Sequence, residues 1–145
     1  MGWTHYWQRE IILPTDQFSD VIHDFQLLLT GLNIKLAGAD GTGEPVLSER
    51  EIVFNGLEDQ NCEPFVIKCF EPSRRSPDRT FSYCKTEKLP YDICVQLILI
   101  ILKHHFGDGI VISSDGDEDD WKQAKELCQK RLKYGIEFKL EEIAE

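Results

Sequence analysis

The sequence predicts a single α+β domain in which about three helices pack on a mixed or antiparallel sheet. The chain of 145 residues has the size of one domain. Its 41% hydrophobic and 29% charged residues are typical of a globular protein. Strand-like segments follow one another in the first half of the chain without intervening helices. Such runs of adjacent strands favour an α+β fold over a doubly wound nucleotide-binding fold.

Three segments have the residue spacing or composition of helices. Apolar residues from Phe18 to Leu29 recur at i, i+3 and i+4, and Gly31 follows as a stop, which predicts the first helix. Residues 91–106, after Pro90, are apolar almost all round, as expected of a central helix that is covered on most sides. The third helix is expected from Trp121, after an acidic cluster that the helix dipole favours at this end.

Strand-like runs occupy much of the remaining chain. They are rich in β-branched and aromatic residues and are bounded by Gly, Pro, Asn or Asp. We expect strands at residues 3–13, 34–37, 51–55, 65–70, 80–85, 110–112 and 136–140. The predicted order of elements is therefore β-α-β-β-β-β-α-β-α-β.

The net charge of the chain is acidic, with one basic exception. A formal charge of −10 argues against non-specific binding to nucleic acid, because neutralising phosphates needs clustered Lys and Arg. Residues 73–79 carry Arg74, Arg75 and Arg79 against one aspartate. This segment, called the arginine loop below, is predicted to be either a solvated connection or a contact for phosphate or an acidic partner.

The cysteines and the apolar runs indicate a cytoplasmic protein without a membrane segment. The five cysteines lack C-x-x-C spacing, which favours free thiols in a reducing compartment and gives no sign of a metal site. The longest apolar run, residues 93–102, is shorter than the ~20 residues that span a bilayer. The first seven residues lack the pattern of a secretory signal. The sequence identifies no cofactor and no oligomeric state.

The first candidate site is the aromatic strand at the start of the chain. Strand alternation places Trp3, His5 and Trp7 on one face and Thr4 and Tyr6 on the other. One interpretation is buried packing with a satisfied histidine. The other is an aromatic-lined pocket that stacks a base or sugar ring, with His5, Tyr6 and Trp7 as ligand-binding residues.

Two turn regions form further candidates. In the segment Asp40-Gly41-Thr42-Gly43, glycines let the backbone approach a ligand, while Asp40 and Thr42 offer an acceptor and a hydroxyl. Asn55 and Glu63 place an amide and a carboxylate at neighbouring strand ends. Both regions also fit plain turns. Glu63 paired with Asp40 or Asp92 would form an acid pair or bind a divalent ion.

The segment from Phe81 to Asp92 concentrates polar groups between a strand end and a helix start. Lys85, Thr86 and Tyr91 lie where unpaired backbone N–H groups of a helix N-terminus commonly hold small anions. Cys84 is a candidate nucleophile if its pKa is lowered, with His5 or His104 as base. The alternative is an inert, buried cysteine.

Several short motifs resemble one family. They are Gly2 to Trp7, Asp40-Gly41-Thr42-Gly43, Phe54-Asn55-Gly56, Glu63-Pro64-Phe65, Tyr83-Cys84-Lys85-Thr86, Pro90-Tyr91-Asp92 and Ser113-Ser114-Asp115-Gly116. The chain is similar over most of its length to a family of small hypothetical proteins encoded by phages, bacteria and large viruses. Tyr83 departs from the Phe expected before the Cys-Lys-Thr run. The resemblance implies no activity, substrate or catalytic residue. We infer from it that these polar residues, Asp115 included, converge on one pocket.

Three classes of function follow from these features. The first is a domain that binds a small ligand, such as a nucleotide-like or phosphorylated metabolite. In a phage, such a domain would sequester a defence signal. The second is a hydrolase or transferase that uses Asp40, Glu63 or Asp92 as acid or base, with Lys85 binding an anion. The third is a protein-interaction module that uses the acidic surface or the arginine loop. The sequence does not decide whether the protein is an enzyme.

Overall fold

Two antiparallel sheets and three α-helices make up residues 3–143 of the protein. The computed structural model describes residues 3–143; Met1, Gly2, Ala144 and Glu145 lie outside the described residues, and Gly2 is the first residue of the resemblance given above. The elements in chain order are β1 (Thr4–Glu10), α1 (Thr15–Leu29), β2 (Leu36–Ala37), β3 (Val46–Leu47), β4 (Glu51–Gly56), β5 (Phe65–Lys68), β6 (Arg79–Lys85), α2 (Asp92–Phe106), β7 (Ile110–Ser114) and α3 (Lys122–Leu132). The predicted α+β class is confirmed.

The first sheet has the order β6-β1-β7, and β1 is antiparallel to both neighbours. In this register Tyr6 lies opposite Tyr83 on one side and Ser113 on the other. Alternation along β1 sends His5, Trp7 and Arg9 into the core, where each is fully buried. Tyr6 and its cross-strand neighbours therefore face solvent on the other side of the sheet.

The second sheet is built around β4, which pairs antiparallel with β2, β3 and β5. Phe54 lies opposite Phe65, and both side chains are fully buried. Their ring centroids are 5.2 Å apart, and the chain of aromatic contacts continues to Phe25 of α1 at 5.5 Å and to Trp7 of β1 at 5.0 Å. Aromatic packing thus joins the second sheet to the first helix and to the first sheet.

Helix α2 is the centre of the core. Every residue from Cys94 to Leu102 is buried, because α1 and α3 pack on it and β7 lies alongside. This confirms the prediction of a central helix covered on most sides. Within residues 3–143, no helix combines the length and the apolar character needed to cross a bilayer.

The structure differs from the predicted element order at two places. Val46–Leu47 forms the short strand β3, which is too brief to show an alternating pattern. Residues 136–140 do not form the predicted final strand. Gly135 has a φ of 122°, and the Phe138 N–H donates to the Gly135 carbonyl at 3.0 Å, so the chain turns instead of extending. Phe138 is buried against Trp121 at a centroid distance of 5.2 Å, whereas Ile136 is exposed.

The two sheets are joined where the chain leaves β1. Ile12 forms an isolated bridge with Phe70, and the Leu13 N–H donates to the Cys69 carbonyl at 2.8 Å. Arg9 is buried beneath this joint. Its guanidinium donates to the carbonyl oxygens of Glu10, Ile11, Lys68 and Cys69 and to the Glu71 carboxylate. Burial lowers the pKa of Arg9, and the Glu71 carboxylate, 2.9 Å away, opposes that shift.

Replacing Arg9 by methionine should destabilise the protein by about 3–5 kcal/mol, because the change leaves buried carbonyls without their donor and the Glu71 carboxylate with the Lys68 N–H alone in place of an ion pair. Urea unfolding followed by far-UV circular dichroism measures the change. The matched control is Arg50→Met, since Arg50 is exposed and exposed substitutions change stability by about 0.5 kcal/mol or less. Equal stability of the two variants would show that Arg9 does not hold the joint.

Candidate functional site

Most of the polar residues predicted from the sequence lie in a succession of neighbouring hydrogen-bonded groups, which together we call the polar seam. It runs from Asn55 through Glu63, Tyr91 and Asp92 to Asp115, where the two sheets meet the N-terminus of α2. Its side chains bond mainly to one another and to backbone. One residue of the seam, Tyr91, lines a surface cavity of about 350 Å³ together with Gly56 and Pro90.

Tyr91 ties the end of β6 to the chain before β5. The side chain is fully buried, and its hydroxyl donates to the Glu63 carbonyl at 2.6 Å and lies 3.2 Å from the Lys85 carbonyl. Burial raises the pKa of Tyr91, so the phenol stays protonated as a donor. Glu63 and Lys85 also bond directly, since the Lys85 N–H donates to Glu63 Oε1 at 2.9 Å. One oxygen of the Glu63 carboxylate is thus already bonded to a backbone N–H group.

Asp92 is the acceptor at the centre of the seam. It is the first residue of α2, a position at which the helix dipole stabilises a carboxylate. Its Oδ1 accepts from Thr86 Oγ1 at 2.5 Å and lies 2.7 Å from His5 Nε2, while Oδ2 accepts from Gln96 Nε2 at 3.1 Å. The side chain is 14% exposed. His5 of β1, Gln96 of α2 and Thr86, the residue after β6, therefore fix its orientation.

His5 links Asp92 to Ser114. The imidazole is fully buried between the edges of Trp3 and Trp121, at centroid distances of 6.3 and 5.0 Å. Its Nε2 faces Asp92, and its Nδ1 lies 2.8 Å from Ser114 Oγ. Because the carboxylate requires a donor, the proton belongs on Nε2, which leaves Nδ1 as the acceptor for the serine hydroxyl. Asp92, His5 and Ser114 are thus joined by a continuous chain of two hydrogen bonds.

Asn55 and the Asp40 loop lie at the far end of the seam. The buried Asn55 amide donates to the carbonyls of Ala39 and Cys62, both at 3.0 Å, and its oxygen accepts from backbone N–H groups. Asp40 and Thr42 are exposed. Asp40 Oδ1 accepts from the Thr42 N–H and hydroxyl, and these bonds lower the pKa of Asp40. Such an arrangement is typical of a turn, the alternative to a ligand-binding loop.

The environment of Cys84 argues against its candidate role as a nucleophile. The thiol is fully buried, and desolvation, with the nearby Glu63 charge, raises its pKa far above the range in which thiolates form at neutral pH. His104, one of the two candidate bases, lies twelve residues along α2 from Asp92, about 18 Å at the helical rise. There it stacks on Tyr134 at 3.6 Å. The inert cysteine is the interpretation that this geometry favours.

The predicted acid pairs also have other partners. Glu63 is bonded to backbone, Asp92 to His5, and Asp40 to its own turn. Among residues 3–143, no group of three or more His, Cys, Asp or Glu side chains is arranged to hold a metal ion. Acid-base or metal chemistry by pairs of carboxylates therefore has no geometric support.

The solvent-facing side of the first sheet carries a second set of residues. Tyr6, Phe81 and Tyr83 lie side by side there and form what we call the outer face. The ring centroids of Tyr6 and Phe81 are 6.2 Å apart and those of Phe81 and Tyr83 are 6.3 Å apart. Phe81 is 50% and Tyr83 55% exposed. The Tyr6 hydroxyl donates to Asp115 Oδ1 at 3.0 Å, and burial followed by this bond raises the pKa of Tyr6.

The arginine loop borders the outer face. Arg74, Arg75 and Arg79 line a groove of about 770 Å³ together with Phe81 and Tyr83. Arg79 donates through Nη2 to the Asp108 carbonyl at 2.7 Å, while its Nη1 is buried and has no partner among residues 3–143. The loop is held in shape by the hydroxyls of its two serines, which accept from backbone N–H groups. The groove therefore combines aromatic rings with guanidinium groups.

Several residues of these two sites are not among the candidates that the sequence predicts. Phe81 and Tyr83 share a face with the predicted Lys85 by strand alternation, a signal that was present in the sequence. Their proximity to Tyr6 depends on the pairing of β1 with β6, which the sequence does not show. Ser114 has no sequence signal of its own beyond the motif Ser113-Ser114-Asp115-Gly116. Trp7, in contrast, was predicted to bind ligand and instead lies in the core against Phe65.

No protein-family model, no curated protein and no solved structure matches this chain. The similarity to proteins of phages, bacteria and large viruses stays a prediction. Function is therefore inferred from the geometry of the seam and the outer face alone.

Tyr91→Phe should destabilise the protein by about 1–2 kcal/mol, since it removes one donor from two buried carbonyls without changing the packing of the ring. Tyr83→Phe is the matched control, because the Tyr83 ring is largely exposed and no cost is expected. Thermal and urea unfolding of both variants measure the difference. A Tyr91 variant as stable as the control would show that the seam does not contribute to stability.

Thiol reactivity tests the burial of Cys84. With a colorimetric disulfide reagent at neutral pH, we expect rapid reaction of the half-buried Cys62 only, and of all five cysteines after denaturation. Burial raises the pKa of Cys94 and of Cys128 to about 12, and it raises that of Cys84 as well. Cys62→Ser should abolish the rapid phase. If Cys84 instead reacts as fast as Cys62, the nucleophilic role regains support.

Proposed function

We propose that this protein binds a small ligand of the nucleotide class, an aromatic ring carrying phosphate, on the outer face. The observation that supports this proposal is the groove in which exposed aromatic rings and three arginines meet, on a chain whose formal net charge is −10. The proposal keeps the ligand class expected from the sequence. It moves the site from the polar seam, where polar groups already have partners, to the solvent-facing side of the same sheet.

The aromatic rings are suited to stacking. Tyr6, Phe81 and Tyr83 project from paired strands, so their positions are fixed before a ligand arrives and little ordering is required on binding. Stacking of a base on an aromatic side chain contributes about 1–3 kcal/mol. Rings that are half exposed in the free protein would lose water on binding, which adds to the driving force.

The arginine loop is suited to the phosphate. A guanidinium group binds phosphate oxygens through two parallel hydrogen bonds, and Arg74 and Arg75 are exposed on the groove for this purpose. Arg79 instead anchors the loop, since its Nη2 donates to the Asp108 carbonyl and its Nη1 is buried. At physiological ionic strength charges are screened beyond about 8 Å. The acidic surface elsewhere therefore does not cancel the local attraction, although it disfavours long nucleic acids that would extend past the groove.

Part of the predicted binding set belongs to this site. Tyr6 lies in the outer face, Asp115 accepts its hydroxyl, and Lys85 follows Phe81 and Tyr83 on the same side of β6. Lys85 pairs with Glu87 at 3.2 Å in an exposed ion pair, which an anionic ligand can replace at low cost. The remaining predicted residues, such as Asn55 and Thr86, support the fold beneath.

Calorimetric titration with nucleoside mono- and triphosphates at low salt tests the proposal. Phe81→Ala should weaken binding about tenfold, the equivalent of 1.4 kcal/mol. Phe70→Ala is the matched control, because Phe70 is an equally exposed phenylalanine outside the groove. Replacing both Arg74 and Arg75 by alanine should weaken the triphosphate more than the monophosphate, while Arg50→Ala should change neither.

Two results would contradict the proposal. One is the absence of saturable binding for nucleotides of all common bases at millimolar concentration. The other is a loss of affinity that is the same for Phe81→Ala and for the Phe70 control, since this would place the ligand elsewhere.

A further inference from the structure

We propose that Ser114 is a nucleophile that reacts with small carboxylic esters, with His5 as its general base and Asp92 as the carboxylate that orients His5. The proposal rests on the geometry of the polar seam and is independent of ligand binding on the outer face. It assigns a chemical activity to residues that otherwise look like internal bonding partners.

The distances fit a proton relay. Asp92 Oδ1 is 2.7 Å from His5 Nε2, and His5 Nδ1 is 2.8 Å from Ser114 Oγ. Nucleophile and base are thus within hydrogen-bonding distance, and a third group orients the base, which is the general signature of an activated hydroxyl. The roles are those of a Ser-His-Asp triad, with the two ring nitrogens exchanged. Triads are recognised by geometry and roles and not by the order of residues in the chain.

The base of the relay is held in place on both sides. Asp92 is held by Thr86 and Gln96, and the His5 ring packs against two indoles. Ser114 lies at the end of the edge strand β7 and is only partly buried, and its Oγ also accepts from the Gly116 N–H at 2.9 Å. A preorganised base beside a positioned hydroxyl is what the chemistry requires.

Buried polar atoms without partners surround this relay. The indole nitrogens of Trp3 and Trp121 and the Gln96 Oε1 atom have no hydrogen-bond partner among residues 3–143. Trp3 packs on Gly116, where a Cβ atom would approach its Cη2 to 2.7 Å, so this indole lies beside the loop that follows Ser114. Unpaired buried groups cost about 1–3 kcal/mol each. The two indoles pack on His5 and Gln96 donates to Asp92, so these unpaired atoms lie next to the relay.

The reaction proceeds in two balanced halves. Ser114 Oγ attacks the ester carbonyl carbon while its proton passes to His5 Nδ1. The tetrahedral intermediate then expels the alcohol, which takes that proton, and leaves an acyl group on Ser114. In the second half, His5 removes a proton from water, the hydroxide oxygen attacks the acyl carbon, and Ser114 leaves with the proton. The products are a carboxylic acid and an alcohol, and no co-reactant besides water is consumed.

The charges around Ser114 define the substrate class. Asp115, Asp117, Asp119 and Asp120 follow it along the chain. These carboxylates repel anionic substrates at short range and favour neutral or cationic ones. The geometry therefore assigns small uncharged or cationic esters to this site, in contrast to the anionic ligand proposed for the outer face.

Labelling with a neutral fluorophosphonate, followed by intact-protein and peptide mass spectrometry, tests the proposal on the full chain. We expect one adduct, located on Ser114, and none on protein unfolded in urea. Ser114→Ala should abolish labelling, whereas Ser113→Ala is the matched control, since Ser113 neighbours it on the opposite side of β7 and lies across from Tyr6. Asp92→Asn should slow labelling about 100-fold or more, because the imidazole is then held in the wrong tautomer.

The same proteins should show a matching pattern in the hydrolysis of a neutral nitrophenyl ester. A fold check by circular dichroism accompanies each variant, and if Asp92→Asn does not fold, the serine pair and the native-against-urea comparison decide. No adduct on native protein, adducts spread over several hydroxyls, or equal labelling of Ser114→Ala and Ser113→Ala would each overturn the proposal.

Discussion

The buried guanidinium of Arg9 is the constraint on which the arrangement of the two sheets depends. A buried charge is tolerated only when it is paired and hydrogen-bonded, and Arg9 meets this condition through carbonyls of both strands at the joint and through Glu71. No shorter side chain in β1 would reach the same acceptors. These bonds hold the end of β1 against the end of β5, and from there β1 runs between β6 and β7 in the first sheet.

The alternation of β1 explains why the two proposed sites lie back to back. Inward residues supply His5 to the relay and Trp7 to the core, while Tyr6, between them, belongs to the outer face. A slip of one residue would exchange these roles. Strand β1 thus contributes His5 to one site and Tyr6 to the other. The polar seam lies on the inner side of the sheet, and the aromatic rings of the outer face lie on the other side.

Sequence patterns were sufficient where the determining contacts are local and failed where they are distant. The run from Cys94 to Leu102 predicts a buried helix by composition alone, and the structure confirms it. The alternation after Gly135 predicts a strand, but a turn that depends on the conformation of this glycine prevents it. The polar residues could be grouped from their motifs. Their roles could not, because burial and partners are set by pairs such as His5 and Ser114, which lie 109 residues apart.

Asp115 connects the outer face with the serine. Its carboxylate accepts from the Tyr6 hydroxyl through one oxygen and from the Thr4 N–H through the other, and it directly follows Ser114 in the chain. The Asp115 N–H also donates to the Thr4 carbonyl at 2.9 Å, so three bonds hold the chain after β7 against the start of β1. Because Tyr6 points to the outer side of the sheet and Ser114 to the inner side, Asp115 positions a residue of each proposed site. The two sites therefore share one positioning carboxylate although they lie on opposite sides of the sheet.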